Sequence, residues 1–182
     1  MTLKNNLTIR ELTLDDLAYD LLKHFNRFQE VKRAWRKEND QYILKDICFT
    51  EHWDENEKLH IVKDVFYDCI KNGGTILGGF DDNKLIAFAC IVNEFFGSYN
   101  QYLQLSKLHV SNEYRNYGLG KKLFVLCCEI AKEKDAKKLY ISANSSEETQ
   151  AFYVKRGCVE AAEINKELAD KEPYDCQMEY VL

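Results

Sequence analysis

Leu108-His109-Val110-Ser111-Asn112-Glu113-Tyr114-Arg115-Asn116-Tyr117-Gly118-Leu119-Gly120-Lys121-Lys122 is the stretch on which the reading of this chain turns. A buried strand runs out into a polar turn, and the turn delivers two glycines to the start of a helix. Gly118 and Gly120 lack Cβ atoms, so the backbone there lets another group approach closely. The first-turn N–H groups of the helix have no intrahelical partners and sit at the positive end of its dipole. Together these make an anion site suited to phosphate. Arg115, Lys121 and Lys122 add positive charge in an otherwise acidic chain. On these residues alone, a plain strand-to-helix turn that happens to hold glycines is the competing reading. Neither GxxxxGK[ST] nor GxGxxG occurs here, so the two familiar nucleotide loops are excluded.

Working outward, Leu119, Leu123, Leu126, Cys127, Ile130 and Ala131 repeat with a helical period as far as Lys134. Lys138–Ala143 reads as a strand, Glu147–Arg156 as a helix ended by Gly157, and Cys158–Ile164 and Cys176–Leu182 as final strands. Upstream, Tyr102–Val110 is a strand preceded by the loop Asn93–Asn100. Thr75–Phe80 and Leu85–Val92 form a hairpin across Asp81-Asp82-Asn83-Lys84. Asp54 begins a helix carrying Leu59, Val62, Val65, Phe66 and Ile70 on one face, and Asn72-Gly73-Gly74 stops it. Two β-prone runs, Val31–Arg36 and Tyr42–Ile47, flank Glu38-Asn39-Asp40-Gln41 and predict an inserted hairpin over 31–47. Leu7–Leu12 alternates as an opening strand. Thr13 is then placed to cap a helix with Leu14, Leu17, Leu21 and His24 on its buried face. The order predicts one α/β domain over 1–182, an α+β mixture around a single sheet.

Composition agrees. The 182 residues are 46% hydrophobic and 13% aromatic, enough for one core and against disorder. One proline and eight glycines leave no room for long linkers. A net charge of −5 argues against nucleic acid, which needs a basic stripe, and is compatible with a cationic substrate. No apolar run reaches the ~20 residues that span a bilayer, and Met1–Arg10 has no signal-peptide core, so no membrane and a cytoplasmic location are expected. The seven cysteines form no CxxC pair and read as small buried hydrophobes; the four histidines lack ligand spacing, so no metal is expected.

Arg115-Asn116-Tyr117-Gly118-Leu119-Gly120 resembles the [QR]-x-x-G-x-[GA] motif of the GNAT superfamily of acyl-CoA N-acyltransferases. Ala151-Phe152-Tyr153-Val154-Lys155-Arg156-Gly157-Cys158 is similar to that family's FYxKxGF segment, and the element order matches over most of the chain. The resemblance implies a mostly antiparallel sheet with a splayed central strand pair, and acetyl-CoA as acyl donor. It implies that the amides of Arg115, Asn116, Tyr117, Gly118, Leu119, Gly120 and Lys121 hold the pyrophosphate. It further implies that the backbone of Leu108, His109 and Val110 pairs with the pantetheine arm like an added strand. The strand Lys138–Ala143 must then splay away, and a freed N–H near Leu108 would polarise the thioester carbonyl.

Acetyl transfer to an amine needs a base for the ammonium and an acid for the departing thiolate. Tyr153 matches the family's tyrosine beside the coenzyme sulfur and is the candidate acid, against a packing role like that of Phe152. The glutamate that many members carry six residues before the Val110 position is Gln104 here, which accepts no proton at neutral pH. Gln104 is left to orient a water or the acceptor. Glu94 is the nearest carboxylate in sequence, weighed against a solvated loop residue. His109 has a suitable pKa but reads equally as a core histidine. Ser146 stands where the family often has Asn, and Asn144 is placed to supply the missing amide to pantetheine.

The acceptor side falls to Trp35, Tyr42, Phe49, Trp53 and the acidic run Glu51, Asp54, Glu55, Glu57, which would suit a bulky cation; core aromatics and a dipole-favoured helix start explain them as well. The acid-rich Glu163–Glu179 region fits an electrostatic funnel or simple solvation. The expected activity is an N-acetyltransferase acting on a primary amine of a small, cationic molecule, by direct attack in a ternary complex. A protein or peptide N-acetyltransferase and a non-catalytic CoA-binding module are the alternatives, and the resemblance admits a homodimer.

Overall fold

A computed structural model describes residues 7–39 and 41–182. Its strands are β1 (Leu7–Glu11), β2 (Gln29–Glu38), β3 (Gln41–Glu51), β4 (Thr75–Asp81), β5 (Lys84–Ile91), β6 (Tyr102–Val110), β7 (Lys138–Ala143), β8 (Val159–Glu160) and β9 (Cys176–Val181). The helices are α1 (Glu55–His60), α2 (Tyr67–Lys71), α3 (Leu119–Glu133), α4 (Glu147–Val154) and α5 (Lys166–Lys171). Seven strands form one sheet in the order β1-β4-β5-β6-β7-β9-β8, and β2 and β3 make a separate ribbon. Every pairing is antiparallel except β6 with β7.

Alternation along β5 explains the layering, since Leu85–Ile91 is buried throughout. Ala87, Ala89 and Ile91 face α3 with Leu123, Cys127 and Ala131. Phe88 and Cys90 face the other side, where Val62 and Phe66 of the segment between α1 and α2 pack with Phe25. That segment, Ile61–Phe66, is a π-helical stretch inside the helix predicted from Asp54. Its start is a reciprocal capping box: the Asp54 carboxylate accepts from Glu57 N at 2.8 Å, and the Glu57 carboxylate accepts from Asp54 N at 2.7 Å. Asp54→Ala should therefore cost about 1 kcal/mol, lowering the melting temperature by about 2–4 °C in a thermal scan.

The hairpin predicted over 31–47 is present and longer, Gln29–Glu38 against Gln41–Glu51. Asn39 takes a left-handed φ of 48° at its turn, whereas Asp40, the other predicted turn residue, lies outside the described residues, as do residues 1–6.

Two expectations are corrected. The helix predicted from Thr13 is only a 3-10 turn, Leu14–Asp16. The Asp16 carboxylate accepts from Thr13 N at 2.8 Å and from the Arg10 guanidinium at 2.7 and 2.9 Å, and Ala18 N turns back onto Asp16 O. Leu12, Leu22 and Phe25 fill the core there, while Leu14, which the helical reading places on the buried face, is exposed. The strand predicted at Cys158–Ile164 shrinks to Val159–Glu160, because Ala162 N donates to the buried Glu179 carboxylate at 3.1 Å and draws the chain off the sheet. It then forms the unanticipated α5, capped by Asn165 accepting from Leu168 N at 3.2 Å.

Candidate active site

The parallel pairing of β6 and β7 covers only Tyr102–Gln104 against Lys138–Tyr140. Beyond it the strands part. β6 stays on β5 as far as Ala87↔Val110, and β7 stays on β9 as far as Ala143↔Cys176. A register shift where Cys90 faces Lys107 and Ile91 faces Leu105 leaves Ser106 as an extra residue in β6, where bulges bend strands. The fork opens into a cleft of about 870 Å³, lined on its walls by Leu105–Val110 and Ile141–Asn144.

At one end the cleft reaches the turn before α3. Ser111 N donates to Ile86 O at 2.7 Å, and Tyr114 OH to Asp81 Oδ2 at 2.6 Å, fixing the turn to the sheet. Arg115 Nε donates to Val110 O at 3.1 Å, and burial lowers its pKa without removing its charge. Asn116 and Gly118 take left-handed φ values of 66° and 83°. The helical ladder opens with Lys122 N donating to Gly118 O at 3.0 Å, so the N–H groups of Leu119, Gly120 and Lys121 come before it. A Cβ at Gly118 would meet no heavy atom within 4 Å, whereas one at Gly120 would lie 3.1 Å from the Phe152 ring. Gly118 thus leaves open space, and Gly120 allows α3 and α4 to pack. Arg115, Asn116, Gly118, Leu119, Gly120, Lys121, Phe152 and Arg156 line this cationic end. Tyr117 is exposed and outside the lining.

Carboxylates line the cleft as well: Glu51, Asp54, Glu57, Glu148, Glu172 and Asp175, with Trp53 and His109. Arg27 holds this region together. Its guanidinium bonds the Glu51 carboxylate, donates to Gln29 Oε1 at 3.1 Å and lies 5.7 Å from the Trp53 ring centre. The His109 ring packs edge-on to Trp53 at 4.9 Å and against Phe88 at 5.4 Å. Burial, then the positive charges of Arg27, Lys107 and Arg115, push its pKa well down, so the imidazole is neutral.

Tyr153 also lines the cleft and is buried, with its ring edge-on to Phe124 at 6.2 Å and Phe152 at 5.1 Å. Desolvation, followed by Cys158, Cys127 and Asp175, pushes its phenol above the ordinary tyrosine range, which keeps the proton on the oxygen. Leu108, His109, Val110 and Asn144 line the same cleft. Asn144 is already engaged: its Nδ2 donates to Glu51 Oε1 at 2.8 Å, and its Oδ1 accepts from Ser146 N at 3.0 Å.

Besides Tyr117, the acceptor-side candidates Trp35, Tyr42, Phe49 and Glu55 lie outside the cleft lining, and so do Ser146, Gln104 and Glu94. Ser146 is buried under the ribbon, capping α4 through Thr149 N at 3.3 Å, while Trp35 N of β2 donates to Ser145 O at 2.8 Å. Gln104 is the last paired residue below the fork, its carbonyl accepting from Val92 N at 3.0 Å, outside the cleft lining. Glu94 is exposed on the loop after β5 and is not in the lining either. The structure instead brings in Arg27, Glu172 and Asp175, of which the sequence signalled only the acid-rich segment containing the last two. Asp175 is pushed up to about 6 by desolvation, then by Glu172.

A forked sheet whose open edge leads to a bare helix N-terminus is built to receive a ligand with an extended arm and an anionic head, as acyl-CoA-dependent transferases do. The model of the Acetyltransferase (GNAT) family matches residues 30–158. This chain belongs to the GNAT acetyltransferase family and is an N-acetyltransferase. Solved structures share its fold. A putative streptothricin acetyltransferase from Bacillus anthracis str. Ames, in complex with acetyl coenzyme A, aligns over 97% of each chain with a TM-score of 0.70 and 22% identity. Nourseothricin acetyltransferase aligns over 97% of this chain and 99% of its own, with a TM-score of 0.68 and 16% identity. The PaiA N-acetyltransferase of Thermoplasma acidophilum, in complex with coenzyme A, aligns over 97% and 99% with a TM-score of 0.59 and 17% identity. No helix among the described residues is long and apolar enough to cross a membrane.

Proposed function

We propose that the protein transfers the acetyl group of acetyl-CoA to a primary amine of a small cationic molecule, by direct attack while both substrates occupy the cleft. The observation that carries this reading is a single cleft, opened by the fork between β6 and β7, that is lined both by the glycine-opened helix start with Arg115 and Lys121 and by the carboxylates Glu51, Asp54, Glu57, Glu172 and Asp175. The donor's pyrophosphate suits the N–H groups of Leu119, Gly120 and Lys121, where Gly118 leaves room and Arg115 adds charge. Its pantetheine arm suits the unpaired β6 edge at Leu108–Val110. The thioester then lies near Tyr153, whose protonated hydroxyl faces the task of meeting the departing sulfur. The carboxylates that line the cleft recognise positive charge on the acceptor. The naming of streptothricin and nourseothricin acetyltransferases among proteins of the same fold supports a small, amine-rich acceptor.

The test is thiol release from acetyl-CoA with nourseothricin, spermidine, lysine, an aliphatic monoamine that carries no charge besides the reacting ammonium, and short peptides as acceptors. Polycationic small amines should turn over, with the monoamine at least about tenfold poorer in kcat/KM, since each lost charge contact is worth over 1 kcal/mol in a desolvated site. Release with none of them, or with peptides alone, overturns the reading.

A further inference from the structure

We propose that Asp175 is the base that takes the proton from the acceptor ammonium, held for that task by a buried hydrogen-bond chain running from the backbone of Asn165. This rests on the reading of the cleft as the site of acetyl transfer to an amine.

The chain has one direction throughout. Asn165 N donates to Tyr140 OH at 3.0 Å, and Tyr140 OH donates to Gln177 Oε1 at 2.8 Å. Gln177 Nε2 donates to Ser142 Oγ at 3.0 Å, which leaves the Ser142 proton for Asp175 Oδ2 at 3.3 Å. Tyr140 and Gln177 are buried, and this chain supplies the partners of their side chains, Gln177 Nε2 also donating to Asp175 O at 3.5 Å. The register Ser142↔Gln177 and Ala143↔Cys176 places Asp175 just past the last paired residue of β9, at the lip of the fork. A further bond from Asp175 N to Glu172 O at 2.9 Å fixes its backbone. Among the described residues no hydrogen bond reaches Oδ1, and the side chain lines the cleft shared with Leu108 and Tyr153.

The groups facing this carboxylate come from every side of the cleft. Glu172, ahead of β9, and Glu51 of β3 repel it; Lys107 of β6 and Ser142 of β7 favour its charge; the phenol of Tyr153 and the thiol of Cys176 feel it in turn. The balance leaves it near 6, ionised at neutral pH yet basic enough to accept a proton. Tyr153 is displaced in the opposite functional sense, remaining an acid, so one cleft holds an ionised base and a protonated acid.

The reaction balances. Asp175 takes one proton from R–NH3+, and the freed amine forms a C–N bond to the thioester carbonyl. The C–S bond breaks, and the leaving sulfur takes the Tyr153 proton. The nitrogen, on becoming an amide, sheds its second proton to the tyrosinate. Asp175 releases its proton to solvent, so one proton and one thiol appear per turnover.

The test is the pH dependence of kcat/KM for nourseothricin or the best amine of the panel, with acetyl-CoA saturating, together with calorimetric binding of acetyl-CoA. Wild type should show an acidic limb near 6. Asp175→Asn should lose about 100-fold at pH 7 with acetyl-CoA affinity unchanged, and its limb should move to the acceptor's own amine pKa, because only free base in solution then reacts. Asp175→Glu should restore the low limb. Ser142→Ala, which leaves the carboxylate in place, should move the limb upward by removing a bond that favours the ionised form, and reports even where Asp175→Asn does not fold. Turnover and limb unchanged in Asp175→Asn, or a wild-type limb that Ser142→Ala leaves in place, overturns the base and leaves acetyl transfer standing. No thiol release by wild type with any amine overturns both.

Discussion

Gly118→Asp should weaken acetyl-CoA binding by at least about 100-fold while the protein remains folded. The position is unusual in allowing both outcomes. Its φ of 83° lies in the left-handed region, which Asp and Asn enter more readily than other non-glycine residues. A Cβ there meets nothing within 4 Å, so no neighbour must move. A side chain at this φ carries some backbone strain, but at the N-cap of α3 a carboxylate sits at the positive end of the helix dipole, beside the free N–H groups that the pyrophosphate would use. The substitution therefore places a competing charge at the anion site. A unit charge about 5 Å from one phosphate charge adds about 3 kcal/mol of repulsion at an effective dielectric of 20, which is more than 100-fold in Kd. Gly118→Asn, of the same size and conformational tolerance but neutral, should lose much less. Calorimetry of the two variants at low and high salt separates charge from bulk: their difference should shrink as ionic strength rises. Equal affinities for the two variants would show that no anion sits at this helix start.

That argument was available from the sequence in outline, because an anion loop is a local object. Gly118 and Gly120 lie within one turn of each other, and backbone N–H groups need no side-chain partner to be present. The strands Tyr102–Val110 and Lys138–Ala143 were legible for a similar reason: each is an apolar run bounded by polar turns, and the structure keeps those bounds. The first helix was not legible. Thr13 followed by two acids reads as a cap, yet the Asp16 carboxylate answers to Arg10 as well as to Thr13, and that bond comes from β1. Ser146 caps α4, and what the sequence could not show is the ribbon that Trp35 fastens over Ser145 and that keeps Ser146 out of the cleft lining.

The proposed acid and base differ in legibility for the same physical reason. Tyr153 lies in a segment with a recognisable pattern, so sequence points to it directly. Asp175 lies among many carboxylates, and nothing local separates it from Glu172 or Glu167. Its distinction comes from Tyr140, Gln177 and Ser142, which the pairing of β7 with β9 assembles behind it. Holding a desolvated carboxylate there works against the ionised fold above pH 6. That penalty is relieved as pH falls towards the unfolded value of 3.8, the reverse of an ion-paired carboxylate such as Asp16.

Tyr153→Phe should lower kcat about 100-fold and leave acetyl-CoA affinity and the melting temperature nearly unchanged. The change removes one oxygen and keeps the ring, so the edge-on contacts with Phe124 and Phe152 persist. On the reading proposed above, ground-state binding of the donor depends on the helix N-terminus and the β6 edge, neither of which the hydroxyl supports. The hydroxyl matters when C–S cleavage puts negative charge on sulfur. A phenol held above its ordinary range is fully protonated throughout the working pH range, but it is also a weaker acid than a thiol. Complete transfer to sulfur is therefore uphill unless the tyrosinate regains a proton at once, which the nitrogen supplies as it becomes an amide. This coupling predicts a further sign: the wild-type profile should stay flat on its alkaline side up to about pH 10, because the phenol does not ionise below that. A loss confined to KM for acetyl-CoA would assign the hydroxyl to donor binding. Unchanged turnover would mean that the thiolate leaves without an acid, and would return Tyr153 to packing beside Phe152.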